Sequence, residues 1–298
     1  MFRTVYVTVG ECVTVVENWL IIKNNQGVEN KIPVDDIYTL FLDNIHTKIS
    51  VYALQYLSVR GINLICCDDK YRPACSVIPF AKHYRPYGVM KKQFALTKEY
   101  RDLIWQRIVK AKIMNQYYAA ALAGLNDKVV ERLRQLAEEV LPGDIGNREA
   151  IAAKMFFRNL YGCGFVRFSE DVINYAMNYG YTIMRSAVIR SLVAYGYNCV
   201  LGVHHMNENN AFNLADDFME PFRPIVDLWV SEHNDELVDE LSRHNRINLV
   251  NLLNAEVNWN NKTMKLHNAL DKYIASFTTA IDSADVNKLV IPSIMKNG

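Results

Sequence analysis

Hydrophobic positions recur with two different periods along this chain. Near the N-terminus Val5, Val7 and Val9 alternate with Thr4, Tyr6 and Thr8, the period-two pattern of a half-buried strand. Residues 12–16 and 19–22 form apolar runs on either side of Glu17-Asn18, which predicts a hairpin, and 37–42 and 62–67 are apolar runs of strand length. Val51–Val59 has helical spacing instead and ends at Arg60-Gly61, a suitable C-cap. From about residue 97 the spacing is helical almost to the end. Thr97 predicts a capped helix through about 124, followed by one over about 127–140. Pro142-Gly143 separate these from a helix starting near Asn147, and a further helix over about 172–195 is closed by Gly196. A small hairpin is predicted around Asn260-Asn261, then a last helix over about 266–281. Pro73, Pro79, Pro86 and Gly88 punctuate an irregular stretch between the two regimes. The expected fold is α+β: a small N-terminal β-rich domain (1–75), a linker (76–90) and a larger all-helical C-terminal domain (91–298).

Composition excludes several classes without changing that layout. Hydrophobic residues make up 50% of the chain and charged ones 22%, which fits a globular protein and not a disordered one. The formal charge of +1 argues neither for nor against a polyanionic partner, so any such surface must come from local clustering. Six cysteines (Cys12, Cys66, Cys67, Cys75, Cys163, Cys199) show no CxxC spacing and read as reduced thiols in a cytoplasmic protein. No apolar run approaches the roughly 20 residues of a membrane helix, so no membrane partner is expected. No glycine-rich loop follows a strand, which excludes a P-loop or dinucleotide fold.

Local clustering does occur. The segment 82–112 carries Lys82, Arg85, Lys91, Lys92, Lys98, Arg101, Arg107, Lys110 and Lys112 against Glu99 and Asp102, with Tyr84, Tyr87, Phe94, Tyr100 and Trp105 interleaved. Such a stretch could neutralise phosphates, or it could be a solvated helix face whose charge is balanced elsewhere in the fold. The segment 196–227 sets His204 and His205 ahead of a short helix in which Asp217 and Glu220, three apart, share a face. Pro221 and Pro224 stop or kink that helix just past Glu220. An imidazole with two carboxylates suits Mn²⁺ or Mg²⁺ better than structural zinc. Glu149 falls in the first turn of its helix, where an acid also complements the helix dipole behind an Asn147 cap. In NYAMNYGY (174–181) Asn174 and Asn178 share a helix face, and Gly180 hints at close backbone packing.

Four stretches together carry a resemblance: WQRIVKAKIMNQ (105–116), NREAIAAKMFF (147–157), NYAMNYGY (174–181), and GYNCVLGVHH through DDFMEPFRPIVD (196–227). In order and spacing the chain resembles the CRISPR-associated spacer-acquisition integrases over essentially its whole length, and its compact layout looks most like the form found with type II-A systems. The resemblance implies a metal-dependent DNA integrase or endonuclease. It implies catalytic, metal-holding residues at Glu149, His205 and Glu220, with Asp217, His204 and Asn178 in support. It implies Mg²⁺ or Mn²⁺, and transfer of the 3′-hydroxyl of a captured DNA fragment to the CRISPR repeat. Lys82, Arg85, Lys91, Lys92, Lys110 and Lys112 are then candidates for DNA backbone contacts. The implied partners are a second copy of the chain, joined through the β-rich domain, and a small second CRISPR-associated protein bridging two dimers, with other type II-A adaptation proteins beyond these. Tyr6 and Trp19 are candidates for dimer packing, although an ordinary core would present the same alternation. A plain metal-dependent nuclease and a noncatalytic DNA-binding scaffold remain the competing readings.

Overall fold

The computed structural model describes residues 3–8, 12–77, 79, 83 and 85–294. The chain divides into two compact units, Met1–Tyr84 and Arg85–Gly298. Val9, Lys82 and Tyr84 lie outside the described residues.

The first unit contains β1 (Arg3–Val7), β2 (Cys12–Val16), β3 (Trp19–Lys23), β4 (Glu29–Pro33), β5 (Ile37–Leu42), β6 (Lys48–Ile49), α1 (Val51–Val59), β7 (Asn63–Cys67) and β8 (Pro73–Val77). They build two four-stranded sheets, ordered β1-β5-β7-β8 and β4-β3-β2-β6. Glu17 and Asn18 both take positive φ, 47° and 66°, as a two-residue type I′ hairpin turn requires. That turn pairs Val16 with Trp19 and leaves Val13, Val15, Leu20 and Ile22 on the buried side. Ser50 caps α1 by accepting from the Ala53 N–H at 3.1 Å, and Ala53 and Leu57 enter the same core. Tyr6 stacks on Phe41 with ring centroids 5.0 Å apart, whereas Trp19 stays 45% exposed. Strand β8 was hidden in the irregular stretch because Pro73 opens it. At a sheet edge a missing N–H removes no necessary ladder bond.

The second unit contains α2 (Pro86–Phe94), α3 (Lys98–Leu122), α4 (Asp127–Glu138), α5 (Arg148–Tyr161), α6 (Val172–Ala194), α7 (Asn213–Met219), α8 (Arg223–Glu232), α9 (Arg243–Asn251), β9 (Glu256–Trp259), β10 (Lys262–Lys265), α10 (Leu266–Ser283) and β11 (Ser293–Ile294). Helix α2 begins within the stretch read as a linker. The unit is predominantly helical but not all-helical, since β10-β9-β11 form a small sheet. Its hairpin turns at Asn260-Asn261, both at positive φ (48° and 61°), while β11, two residues long, is too short to show alternation. Among the described residues no helix is long and apolar enough to cross a membrane.

Helix α3 is the spine against which α4, α5, α7 and α8 pack. Thr97 caps it, accepting from the Tyr100 N–H at 3.2 Å. Its Asn115 donates to Pro221 O at 2.7 Å and accepts from the Ile294 N–H at 3.0 Å, tying the turn after α7 and strand β11 to one buried amide. Gly180 in α6 is required by a close approach: a Cβ there would stand 2.5 Å from Val226 Cγ1 of α8. These contacts fix α7 and the start of α8 beside α3.

Candidate active site

The loop ahead of α7 closes around one carboxylate. Asp217, fully buried, accepts from the Val203 N–H at 2.7 Å and the His204 N–H at 3.0 Å through Oδ2. Its Oδ1 accepts from the His205 N–H at 3.1 Å and lies 2.6 Å from His205 Nδ1. The loop can curl this tightly because residue 202 is glycine. A Cβ there would stand 2.2 Å from His205 O and 3.0 Å from Asp217 Oδ2. The His204 ring stacks flat on Trp105 of α3 at 4.1 Å, and His205 meets the same indole edge-on at 5.7 Å. The hydrogen bond His205 makes to Asp217 raises its pKa above the ordinary imidazole value despite partial burial, and the charges of Asp217, Glu220 and Glu149 push the same way.

Next to this corner is an ion cluster. Lys112 of α3 is 8% exposed, and its Nζ donates to Glu149 Oε1 at 2.6 Å. The same Nζ lies 2.5 Å from the buried Glu220 Oε2 in an ion pair. Glu220 Oε1 accepts from Arg223 Nε at 2.7 Å. Burial works against ionising Glu220, but Arg223 and Lys112 overcome it and hold the carboxyl down to about 2. Burial likewise opposes the Lys112 ammonium, and Glu220 and Glu149 together raise its pKa. Glu149 is positioned from below by Asp144, whose carboxylate accepts from the backbone N–H groups of Arg148 (2.9 Å) and Glu149 (3.0 Å).

Behind Arg223 lies a third layer. Its guanidinium sits 4.4 Å over the Tyr181 ring, and Tyr181 OH donates to the Asp227 carboxylate. Burial pushes Asp227 up to about 7, against the Tyr181 hydrogen bond and the charge of Arg223. Arg167 is 5.3 Å from the same ring and donates to Asn174 Oδ1 at 2.6 Å and Asn178 Oδ1 at 2.7 Å.

The singled-out residues thus fall into distinct places. Glu149 and Glu220 meet at Lys112, with the His205–Asp217 pair beside them and His204 turned onto Trp105. Asn178 braces Arg167. Among the described residues no three His, Cys, Asp or Glu side chains are spaced as ligands of one ion. Two expectations need correction. Lys112 is not a surface contact for phosphate but a buried partner of two carboxylates. Asn147 stands at the N-cap position of α5 but has φ 50° and makes no side-chain cap bond; Asp144 supplies the acceptor instead. The sequence carried a signal for Lys112. It stands seven after Trp105 and four after Ile108, on the buried stripe of α3, where an unpaired lysine would be prohibitive.

Elsewhere the basic stretch is partly neutralised. Lys92 pairs with Asp282 at 2.5 Å, Lys98 with Asp102 at 3.2 Å, and Arg107 donates to Asn287 Oδ1 and Leu289 O. Arg85, Lys91 and Lys110 are exposed, with Lys91 lying 5.8 Å over the Tyr87 ring.

The fold, a β-rich unit ahead of a predominantly helical one, recurs in known proteins. The family model described as CRISPR associated protein Cas1 matches residues 5–239. The CRISPR-associated endonuclease Cas1 of Neisseria meningitidis serogroup C is 34% identical over 296 residues, covering 99% of this chain and 97% of that protein. A solved structure titled a casposase bound to integration product superposes with TM-score 0.76 at 16% identity, covering 95% of this chain and 91% of that one. A Cas6-RT-Cas1--Cas2 complex superposes with TM-score 0.72 at 17% identity, covering all of this chain and 37% of that one. At those identities the two structures speak to fold alone. The chain belongs to the CRISPR-associated Cas1 family.

Proposed function

We propose that this protein is a metal-dependent DNA integrase and endonuclease of CRISPR adaptation. It joins the 3′-hydroxyl of a captured foreign DNA fragment to the CRISPR repeat by transesterification. The observation that carries this reading is the meeting of Glu149 and Glu220 at one buried cation, beside a histidine whose Nδ1 is already committed to Asp217. Carboxylate oxygens and an imidazole nitrogen are donors that suit Mg²⁺ or Mn²⁺, and Glu220 Oε2 is a buried oxygen already facing a cation. Glu149, His205 and Glu220 would hold the ion. When bound, it would neutralise charge on the scissile phosphate and stabilise the leaving oxygen. The protein's own part is orientation. Asp217 fixes His205 with Nε2 left for the metal, Arg223 fixes one oxygen of Glu220, and Asp144 anchors the helix start that carries Glu149. The exposed Arg85, Lys91, Lys92 and Lys110 would steady the DNA backbone, with Lys82 assigned the same role from sequence.

The reading extends to a homodimer formed through the β-rich unit and to a small second CRISPR-associated protein bridging two dimers. The shared fold with a chain of a Cas6-RT-Cas1--Cas2 complex supports that partnership. The compact layout fits the form found with type II-A systems, whose other adaptation proteins are further partners, in the cytoplasm. The test is strand transfer of a labelled fragment into a supercoiled repeat-bearing plasmid with divalent ion. Glu220→Ala should abolish joining while leaving DNA binding largely intact; joining at the wild-type level would reject the assignment. A second reading, a noncatalytic scaffold, draws on the same ion pairs, since carboxylates bridged by a lysine need no metal. Under it Mn²⁺ leaves the melting temperature unchanged; under the first, Mn²⁺ raises it for wild type and not for Glu149→Ala.

A further inference from the structure

We infer that Lys112 is the built-in counter-ion of this site: its ammonium holds Glu149 and Glu220 together without metal, and a divalent ion must displace it to enter. The inference rests on the metal-dependent reading above. The two acids arrive from different elements, α5 and the turn after α7, and Lys112 Nζ touches both, at 2.6 and 2.5 Å. Two carboxylates brought this close, one buried and one half-buried, repel unless a cation stands between them. That cation now stands between the two acids that a shared metal would have to join.

The surrounding bonds show which part is free to move. Glu220 Oε1 is held by Arg223, and the backbone of Glu149 by Asp144. Oε2 of Glu220, by contrast, is held by the Lys112 ammonium and not by a backbone donor. Lys112 itself is a compact charge on a flexible four-carbon stem rooted in a fixed helix, so its ammonium can withdraw without moving α3. Charge gives the same order of events. With His205 neutral as a ligand, Glu149, Glu220 and Asp217 are three acids against the two bases Lys112 and Arg223. A divalent ion added with the ammonium still in place would leave a net positive excess and two cations in contact. Withdrawal of the ammonium removes both. Lys112 is therefore a positioning residue that sets the affinity and timing of metal entry.

The test is Mn²⁺ binding to the full-length protein without DNA, titrated by electron paramagnetic resonance. Lys112→Met, which keeps the stem and removes the charge, should bind Mn²⁺ about tenfold more tightly than wild type, within the usual range for coupled sites. Lys112→Arg, which keeps a cation, should gain nothing. In EDTA Lys112→Met should melt below wild type, and Mn²⁺ should raise its melting temperature by more than it raises wild type's. A lysine that merely glues the helices together would lower the melting temperature equally with and without Mn²⁺. If Lys112→Met does not fold in EDTA, Lys112→Gln takes its place in both measurements. Equal Mn²⁺ affinity in wild type and the neutral variant overturns the displacement idea and leaves the metal site standing. No bound Mn²⁺ in either overturns both.

Discussion

Asp217 and Glu220 stand three residues apart on the same stretch, both buried, and the fold uses them in opposite ways. Asp217 is saturated by fixed donors: three backbone N–H groups and the His205 ring. Glu220 is balanced by two side-chain cations, Arg223 at Oε1 and Lys112 at Oε2. An acid whose lone pairs are spent on backbone donors builds a loop and orients an imidazole. An acid held by side-chain cations keeps an oxygen that can change partners. The difference separates the residue that assembles the site from the residue that works in it.

The contrast can be broken most severely at Asp217. Asp217→Ala would strand three buried N–H groups and release His205, and it should cost roughly 3–5 kcal/mol in urea unfolding. Gly202→Ala attacks the same corner from outside by driving a methyl group into His205 O. It should cost about 1–3 kcal/mol by thermal unfolding while leaving the β-rich unit's own core untouched. At Glu220 the effect should depend on pH. Its carboxyl titrates near 2 when paired in the fold and at about 4.5 when unpaired, so its stabilisation is fully present above about pH 4.5 and is lost as pH falls toward 2. Urea midpoints measured across that window should fall steeply for wild type and less steeply for Glu220→Gln. The smallest effect belongs to the exposed charges. Lys110→Ala should leave stability unchanged and lower the salt slope of DNA binding by about 0.9, the loss of one phosphate contact.

Much of the scaffold was legible because it rests on local rules. Glu17-Asn18 and Asn260-Asn261 could be read as turns from residue type alone, and both pairs adopt the positive φ that reading requires. Thr97 announced the start of α3, and Gly180 announced a neighbour too close for a side chain, which proved to be Val226. Elements set by pairing partners were not legible. Strand β8 begins with a proline, and β11 is two residues that gain their place from β9 and Asn115. The site was legible in parts. His204, His205, Asp217 and Glu220 stood out by their spacing, whereas Glu149 came from the resemblance, because nothing local sets it apart from an acid that complements a helix dipole. Lys112 looked like one more positive charge in a basic run. Its position on the apolar stripe of α3 carried the contrary message, but the partners that make a buried lysine tolerable lie on α5 and after α7, and no short window of sequence contains them.

The most direct measurement is the anomalous signal at the manganese edge from crystals of the full-length protein soaked in Mn²⁺. A single peak bounded by Glu149, His205 and Glu220, with the Lys112 side chain turned away from both acids, is the predicted result. Manganese bound elsewhere, with Lys112 still bridging the two carboxylates, would contradict it.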